Sequence, residues 1–491
     1  MNVEARDIPL AKSADAVHAL SQLEQRLQQE LEWLSLPAER WLPRWESQGQ
    51  KGLDVAIVGG GMSGLCAAAA LKLQGLDNIQ VFDRAPAGRE GPWVTYARMN
   101  TLRTPKDGEC LSLGLPSLTF RAWYESQFGE DAWRALDKAP RSMWMDYLVW
   151  YRRVLALPVR NNTSVDLIEP VADGKLRLHL SASTDKQTVL ARRVVLATGF
   201  DGFGGPAIPS IAAAIDPRFW AHTSDDIDFD RLRGKRVGVV GVGASALDNA
   251  AVALESGAER VDIFMRRSEM PAIQKLAAIR GPGLLHGFVG LPDAWKSRLL
   301  HYELKTQNPA PRQSILRVFR HPNAHLHAAS GVTGLAADDG ELSVHTPQSM
   351  HRVDFLIFGT GFCNDPRRRP ELAALVPFIR LWRDENSTTY SEDPDDLLSS
   401  PYLDAGFAFQ ERAPGTCPGL ANIHCITSAA SMTHGRVPVA VQGASVMARR
   451  LTEAICRSLF VEDCEDHYAR VEAFNVREFA SHELVAADCQ T

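Results

Sequence analysis

Two glycine clusters of the same spacing recur in this 491-residue chain: Gly59, Gly61 and Gly64 in VGGGMSG, and Gly241, Gly243 and Ala246 in VGVGASA. Glycine at such positions removes the side chains that would hold an anion away from a turn. Backbone N–H groups and the positive end of the following helix can then reach a pyrophosphate. A bare G-x-G-x-x-G arises by chance roughly 0.2 times in a chain of this length, so one copy says little. Here both copies follow a Val/Ile-rich run, open an Ala/Leu-rich helix and lead to a second strand, the order a βαβ unit requires. Both read as dinucleotide sites.

The residue that closes each unit separates the ligands. Asp83, followed by Arg84, ends VFDR. A carboxylate there accepts hydrogen bonds from an adenosine ribose and repels a 2'-phosphate, so the first site should take FAD or NAD. Arg266 and Arg267 end FMRR. Guanidinium groups there can pair with a 2'-phosphate, which points to NADPH, with Ser245 counted among the residues of that site. The same two arginines would also suit a solvated strand end.

These sites require a fold to hold them, and the chain predicts an α/β protein with two Rossmann-like dinucleotide-binding domains. Apolar residues at helical spacing over about 13–35 predict a helix packed outside the core, within an N-terminal helical extension over 1–50. A first FAD-domain segment over 51–205 closes with RRVVLATGFDG, holding Ala197, Thr198 and Gly199. An NADPH-binding domain follows over 206–350. The strand VDFLIFGTGF repeats the ending with Gly359, Thr360 and Gly361, and the chain returns over 351–491 to the FAD domain and its C-terminal helices. The last major helix is expected from about Val437 to Phe460, entering from THGRVP toward the flavin ring. The FAD domain is therefore discontinuous, with the NADPH domain inserted.

A formal net charge of -6 gives no reason to expect nucleic acid or an anionic membrane as partner. No apolar run approaches the roughly 18 residues that span a bilayer. MNVEARDIPLAKSADAV has no basic segment followed by an apolar core, so a cytoplasmic address is expected. A homodimer is the expectation for a soluble enzyme of this kind. Cys66, Cys110, Cys363, Cys417, Cys425, Cys456, Cys464 and Cys489 form no C-x-x-C, so they read as reduced thiols, and a disulfide reductase is disfavoured. His321, His325 and His327 cluster in RHPNAHLHAASG without a neighbouring carboxylate or Cys, and no metal site is expected from them.

The order GGGMSG, GPW, ATG, GVGASA and GTGF resembles the class B flavin monooxygenases, which include flavin-containing, N-hydroxylating and Baeyer-Villiger enzymes. The resemblance covers about residues 53–460. Gly91 and Trp93 match a G-G-x-W segment that the family places along the flavin. MNTLRTPK is similar to the T-L-R-x-P segment of the N-hydroxylating branch, and RSMWMDYLVWYRRVL to its D-Y-L-x-W helix. The Baeyer-Villiger signature is broken: His222 and Thr223 match, whereas Asp216, Arg218 and Asp226 stand at its Phe, Gly and aromatic positions. The T-N-x-x-K segment of the vertebrate type is broken too, since Lys106 matches but Arg103 replaces its Asn.

The resemblance implies FAD and NADPH as cofactors and a small-molecule substrate with dioxygen. It implies insertion of one oxygen atom through a flavin C4a-(hydro)peroxide, most directly on a nitrogen or sulfur. The cofactor carries the hard step, and the protein must position it and exclude water. Arg103, Lys106 and His222 are candidates for the polar surroundings of the reaction, each with a structural role as its competitor. Baeyer-Villiger oxidation of a ketone, and an NADPH-flavin reductase or oxidase without oxygen transfer, remain as alternatives. The irregular stretch from Gly281 to Gln313 and the aromatic segment SLTFRAWYESQFGEDAWRAL are candidates for substrate contact or a lid.

Overall fold

A computed structural model describes residues 12 and 15–479 except 48, 172, 183–184, 339, 386–394 and 439. Residues 13–14 of the expected N-terminal helix, and Cys489, lie outside the described residues.

The apolar run Leu53–Val58 is buried over most of its length and forms the parallel centre of a seven-stranded sheet. Ile79–Phe82 and then Val159–Arg160 lie on one side of it, and Asp185–Leu196 on the other. That last strand does two jobs. Its Ala191–Leu196 end pairs in parallel with the central strand, while its earlier part forms an antiparallel meander with Leu176–Ala182 and Ser164–Pro170. Ile423–Cys425, from far along the chain, pairs in parallel with Val194–Leu196. The first domain is therefore built from two separated stretches of sequence.

A second, all-parallel sheet has the order Trp220–His222, Phe355–Phe358, Arg236–Val240, Arg260–Phe264 and Ala324–His327. Alternation assigns its faces. Val237, Val239, Val261 and Ile263 meet the Ala244–Glu255 helix, whereas Phe264, Leu356 and Phe358 meet Leu342, Val344 and Val353 of an antiparallel three-stranded sheet. The chain enters this domain through Gly204–Pro206 and leaves through Phe362–Asn364, and these two strands pair antiparallel. A Cβ on Gly204 would lie 1.9 Å from the Cys363 carbonyl oxygen, so the close approach of the two passages needs glycine there.

The outer helix forms over Ala16–Trp33, burying Leu23, Leu27 and Leu31 at four-residue spacing. The aromatic segment is core rather than lid. Phe120, Trp123, Tyr124 and Trp133 are buried against Trp144 and Tyr147 in tilted and edge-on contacts, because rings of this size gain most by leaving water together. The stretch read as irregular contains the helices Pro282–Gly287, Asp293–Thr306 and Arg312–Phe319. Phe288 and Leu300 from that stretch pack with Trp382 and Met432, which clamps the inserted segment to the first domain. The last major helix starts at Ala444, later than expected, because Val437 packs back against Gly443 just ahead of it: a Cβ on Gly443 would meet the Val437 carbonyl at 2.6 Å. None of the described helices is long and apolar enough to cross a membrane.

Candidate active site

The Leu53–Val58 strand delivers the first glycine turn to the N-terminus of the Met62–Leu73 helix. Gly59 has φ +108, and a Cβ there would lie 2.5 Å from the Ala197 carbonyl oxygen. On Gly64 a Cβ would lie 1.9 Å from the Gly59 carbonyl oxygen, so the helix can dock on the turn only without a side chain. Gly61, at the N-cap, has no side-chain cap, which leaves the first-turn N–H groups to an incoming anion.

These residues open onto a cleft of about 910 Å³. Gly59, Gly61, Asp83, Arg84, Trp93, Thr198 and Gly199 all line it, while Gly64 sits behind the turn. Asp83 is buried, and its Oδ2 and Oδ1 accept hydrogen bonds from the Gly60 N–H (2.6 Å) and the Ala85 N–H (2.7 Å). Burial pushes its carboxyl above the usual range, against the opposite pull of those two bonds. Trp93 is buried edge-on to Trp144, and its indole N–H has no partner among the described residues. Arg89, between Asp83 and Trp93, also lines the cleft, as do Arg368, Arg369, Thr427 and Ser428, the last four from segments that sequence reading did not connect to it. Pro438 and Val441, just ahead of the last major helix, close one wall.

The second turn repeats the arrangement on the parallel sheet. Gly241 has φ +106 and a Cβ there would approach the Gly359 carbonyl oxygen at 2.8 Å, while a Cβ on Gly243 would meet nothing within 4 Å. Ser245 and Ala246 lie in the first turn of the Ala244–Glu255 helix, which also lacks a side-chain cap. Gly199 (φ +87) and Gly361 (φ +79) occupy equivalent positions after the two closing strands, and the Thr360 hydroxyl donates to the Ala207 carbonyl at 2.6 Å. The two arginines differ. The Arg267 guanidinium binds the Lys305 carbonyl (2.8 Å) and Gln307 Oε1 (3.1 Å) at the end of the Asp293–Thr306 helix. Arg266 makes no hydrogen bond or ion pair among the described residues.

The three polar candidates are dispersed. Arg103 Nη2 lies 3.2 Å from Asp248 Oδ2, a contact between the first domain and the Ala244–Glu255 helix. Asp248 is buried and also accepts from the Ser314 hydroxyl at 2.6 Å, with Arg317 at 3.7 Å, so one carboxylate joins three parts of the chain. Lys106 donates to the Trp133 and Leu136 carbonyls at 2.6 and 2.5 Å and lies over the Trp133 ring. That geometry caps the end of a short helix. His222 is fully buried at the end of an edge strand, with Nδ1 2.7 Å from the Ser224 hydroxyl and Nε2 unpartnered among the described residues. Burial pushes its pKa down, which favours the neutral ring. It sits edge-on to Phe362, which stacks on Phe200 at the cleft.

Comparison with known proteins decides what this architecture is. Residues 56–279, which include both glycine turns, match the family described as pyridine nucleotide-disulphide oxidoreductase. A relative from Xanthomonas campestris pv. campestris, described as an FAD-dependent urate hydroxylase, is 42% identical over 459 residues, covering 93% of this chain and 96% of the relative. The chain belongs to the class B flavin monooxygenase superfamily.

Among solved structures, an ornithine N-hydroxylase from Kutzneria sp. 744 aligns with a TM-score of 0.65 at 19% identity, over 83% of this chain and 99% of that one. L-lysine 6-monooxygenase from Pseudomonas syringae aligns with a TM-score of 0.64 at 20% identity, over 82% and 99%. At these identities the likeness is one of fold. The protein is an FAD- and NADPH-dependent monooxygenase acting on a small molecule with dioxygen. The cleft satisfies what FAD requires of it, with an uncapped helix end, a turn that excludes side chains and exposed arginines at its rim. Bound FAD, reduced by NADPH, supplies the activation of dioxygen; the chain's own groups hold, orient and shield.

Proposed function

We propose that this monooxygenase hydroxylates urate, or an oxidised purine of the same electron-rich character, using NADPH and dioxygen. The observation that carries this reading is the 42% identity to the Xanthomonas urate hydroxylase, which spans nearly the whole of both chains. A relation of that closeness supports a shared pocket lining as well as a shared fold. The chemistry agrees: oxygen transfer from a flavin is electrophilic, so the substrate must offer an electron pair, which an amine, a sulfide or the urate ring can do. Urate thus takes the place of the nitrogen and sulfur nucleophiles to which the motifs point.

In this reading Gly59, Gly61, Gly64, Asp83, Arg84, Trp93, Thr198 and Gly199 hold FAD, with Arg89, Arg368 and Arg369 adding positive charge at the cleft. Gly241, Gly243, Ser245, Ala246, Arg266, Thr360 and Gly361 hold NADPH, with the Arg266 guanidinium on the 2'-phosphate. Arg103 positions the two domains through Asp248, His222 buttresses the domain junction, and Lys106 stabilises the fold nearby. Pro438 and Val441 keep water from the reacting face.

The test is to supply the purified holoenzyme with urate, NADPH and dioxygen and to follow all three. Equimolar consumption, with loss of the urate ultraviolet band, is the expected result. If urate leaves NADPH oxidation at its background rate, the urate reading is wrong. An N-hydroxylated product from lysine or ornithine in the same assay would install the amine reading in its place. Peroxide formation with every compound would mark a reductase or oxidase.

A further inference from the structure

Asp262 is a buried carboxylate on the face of the second sheet that also carries Phe264, Leu356 and Phe358. The Arg260–Phe264 strand turns Val261 and Ile263 toward the Ala244–Glu255 helix, so Asp262 and Phe264 face the other way. The neighbouring strand pairs Phe264 with His327, and the overlying Met350–Val353 strand brings His351 to the same place. His327 Nε2 lies 2.7 Å from Asp262 Oδ1, and the rings of His327 and His351 are 4.4 Å apart. One potential ligand atom from each of the three residues falls within 4.8 Å of the others.

We propose that Asp262, His327 and His351 form a binding site for a divalent transition-metal ion of the zinc type. Two imidazoles and a carboxylate are ligands that zinc accepts, and three protein ligands leave a fourth position for water. Ligand bonds of about 2.1 Å in a tetrahedron put the ligand atoms about 3.4 Å apart. The 2.7 Å pair then has to part by about 0.7 Å and the widest separation to shrink by at most about 1.4 Å, shifts within reach of side-chain adjustment. Three different strands present the ligands, so their backbones are held in place before any ion arrives. Without the ion, Arg260 occupies the carboxylate with a two-bond fork, Nε to Oδ2 and Nη2 to Oδ1, each 2.8 Å. The Arg260 side chain is 44% exposed, and its guanidinium can release one oxygen to the cation while keeping the other, as a neighbour that orients a ligand.

An ion bound there ties the antiparallel sheet to the parallel one, on the face opposite the Ala244–Glu255 helix. The site therefore acts on stability rather than on oxygen transfer. Its histidines include His327 from the cluster singled out in the sequence, but its other members, Asp262 and His351, come from different strands.

The experiment is calorimetric titration of zinc chloride into FAD-loaded, chelator-treated protein, paired with thermal unfolding. The intact protein should bind one equivalent at this site and unfold at a higher temperature with zinc. His351→Ala and His327→Ala, each checked for normal flavin content, should weaken binding by about tenfold or more and lose the thermal shift. Arg260→Ala, which removes the competing fork, should bind zinc as tightly or more tightly. Binding and thermal shift unchanged in both histidine variants would overturn the proposal and put the ion elsewhere. An intact protein that neither binds nor shifts would reduce the trio to an ion pair beside a packed histidine.

Discussion

In the first dinucleotide unit the helix contributes Gly64 and the closing strand contributes Ala197; in the second the helix contributes Ala246 and the strand Gly359. The Ala197 methyl would be 3.4 Å from a Cβ on Gly64, and a Cβ on Gly359 would be 2.4 Å from the Ala246 methyl. One methyl fills the space between helix and strand in each case, carried from opposite sides. The same motif position can therefore hold Gly or Ala only in concert with a residue more than a hundred positions away, which the motif does not mention. The strand ends differ in another way. Asp83 is occupied by the backbone of its own turn, so it shapes the first glycine turn directly. Arg266 makes no hydrogen bond or ion pair among the described residues, which leaves its charge for the proposed 2'-phosphate contact.

The largest expected effect comes from Gly64→Ala. Its Cβ would collide with backbone that cannot move, and the variant should be recovered without FAD or not recovered at all. Gly243→Ala, which meets nothing, should keep full flavin and lose only NADPH affinity. Equal flavin content in the two variants would break the comparison.

Acid should act more strongly on the FAD body than on the NADPH insertion. Burial pushes His424 down to about 4 and His434 to about 3, and both lie in the FAD body; His222, in the insertion, is also lowered. His424 lies near Asp404 and Arg193, and His434 against Arg450 and the Asp404 carbonyl. A histidine whose folded pKa is depressed adds nothing to the pH dependence above its unfolded value of 6.5. Below that value the unfolded chain binds a proton that the native chain refuses. Stability then falls by about 1.4 kcal/mol per pH unit for each such group, until the folded pKa is reached. Flavin release on heating should therefore move to lower temperature between pH 6.5 and pH 4, and His434→Gln should flatten that slope. A slope indifferent to this change would remove His434 from the account.

Arg266→Ala should raise the KM for NADPH by about 10- to 100-fold and leave that for NADH nearly unchanged, as expected for a lost charge-assisted contact to a 2'-phosphate. Arg267→Ala should lose stability at the end of the Asp293–Thr306 helix instead. Gly359→Ala should cost about 1–3 kcal/mol in unfolding measurements, and adding Ala246→Gly should return only part of it, because the Ala246 Cα at 2.8 Å and the Val240 carbonyl oxygen at 2.9 Å still crowd the new Cβ. The smallest effect is assigned to Arg103→Gln. Peroxide leakage should rise by about two- to fivefold with flavin content intact, because the Arg103 contact between domains is half exposed and weak.

What could be read from the sequence follows from how local each requirement is. Both glycine turns, their helices and their charged ends lie within short βαβ stretches, so the spacing disclosed the two-domain fold and the ligand preference. Arg368 and Arg369 reach the flavin cleft from a segment far along the chain, and Asp248 meets Ser314 and Arg103 only through tertiary packing. Lys106 shows the opposite failure: it matches a family segment, yet two nearby carbonyls hold its ammonium group. Aromatic density in 117–136 suggested a ligand surface, and periodicity alone could not tell that from a ring-packed core.

The paired strands Gly204–Pro206 and Phe362–Asn364 make the inserted domain a cassette with a zipped stem. Its entry and exit lie at the roughly 5 Å spacing of antiparallel neighbours, so the interrupted body could be rejoined by a short turn where the cassette was cut out. Such a permutation leaves the Ile423–Cys425 strand in its place beside Val194–Leu196. The fold is thus arranged for one nucleotide module to be exchanged while the other stays whole.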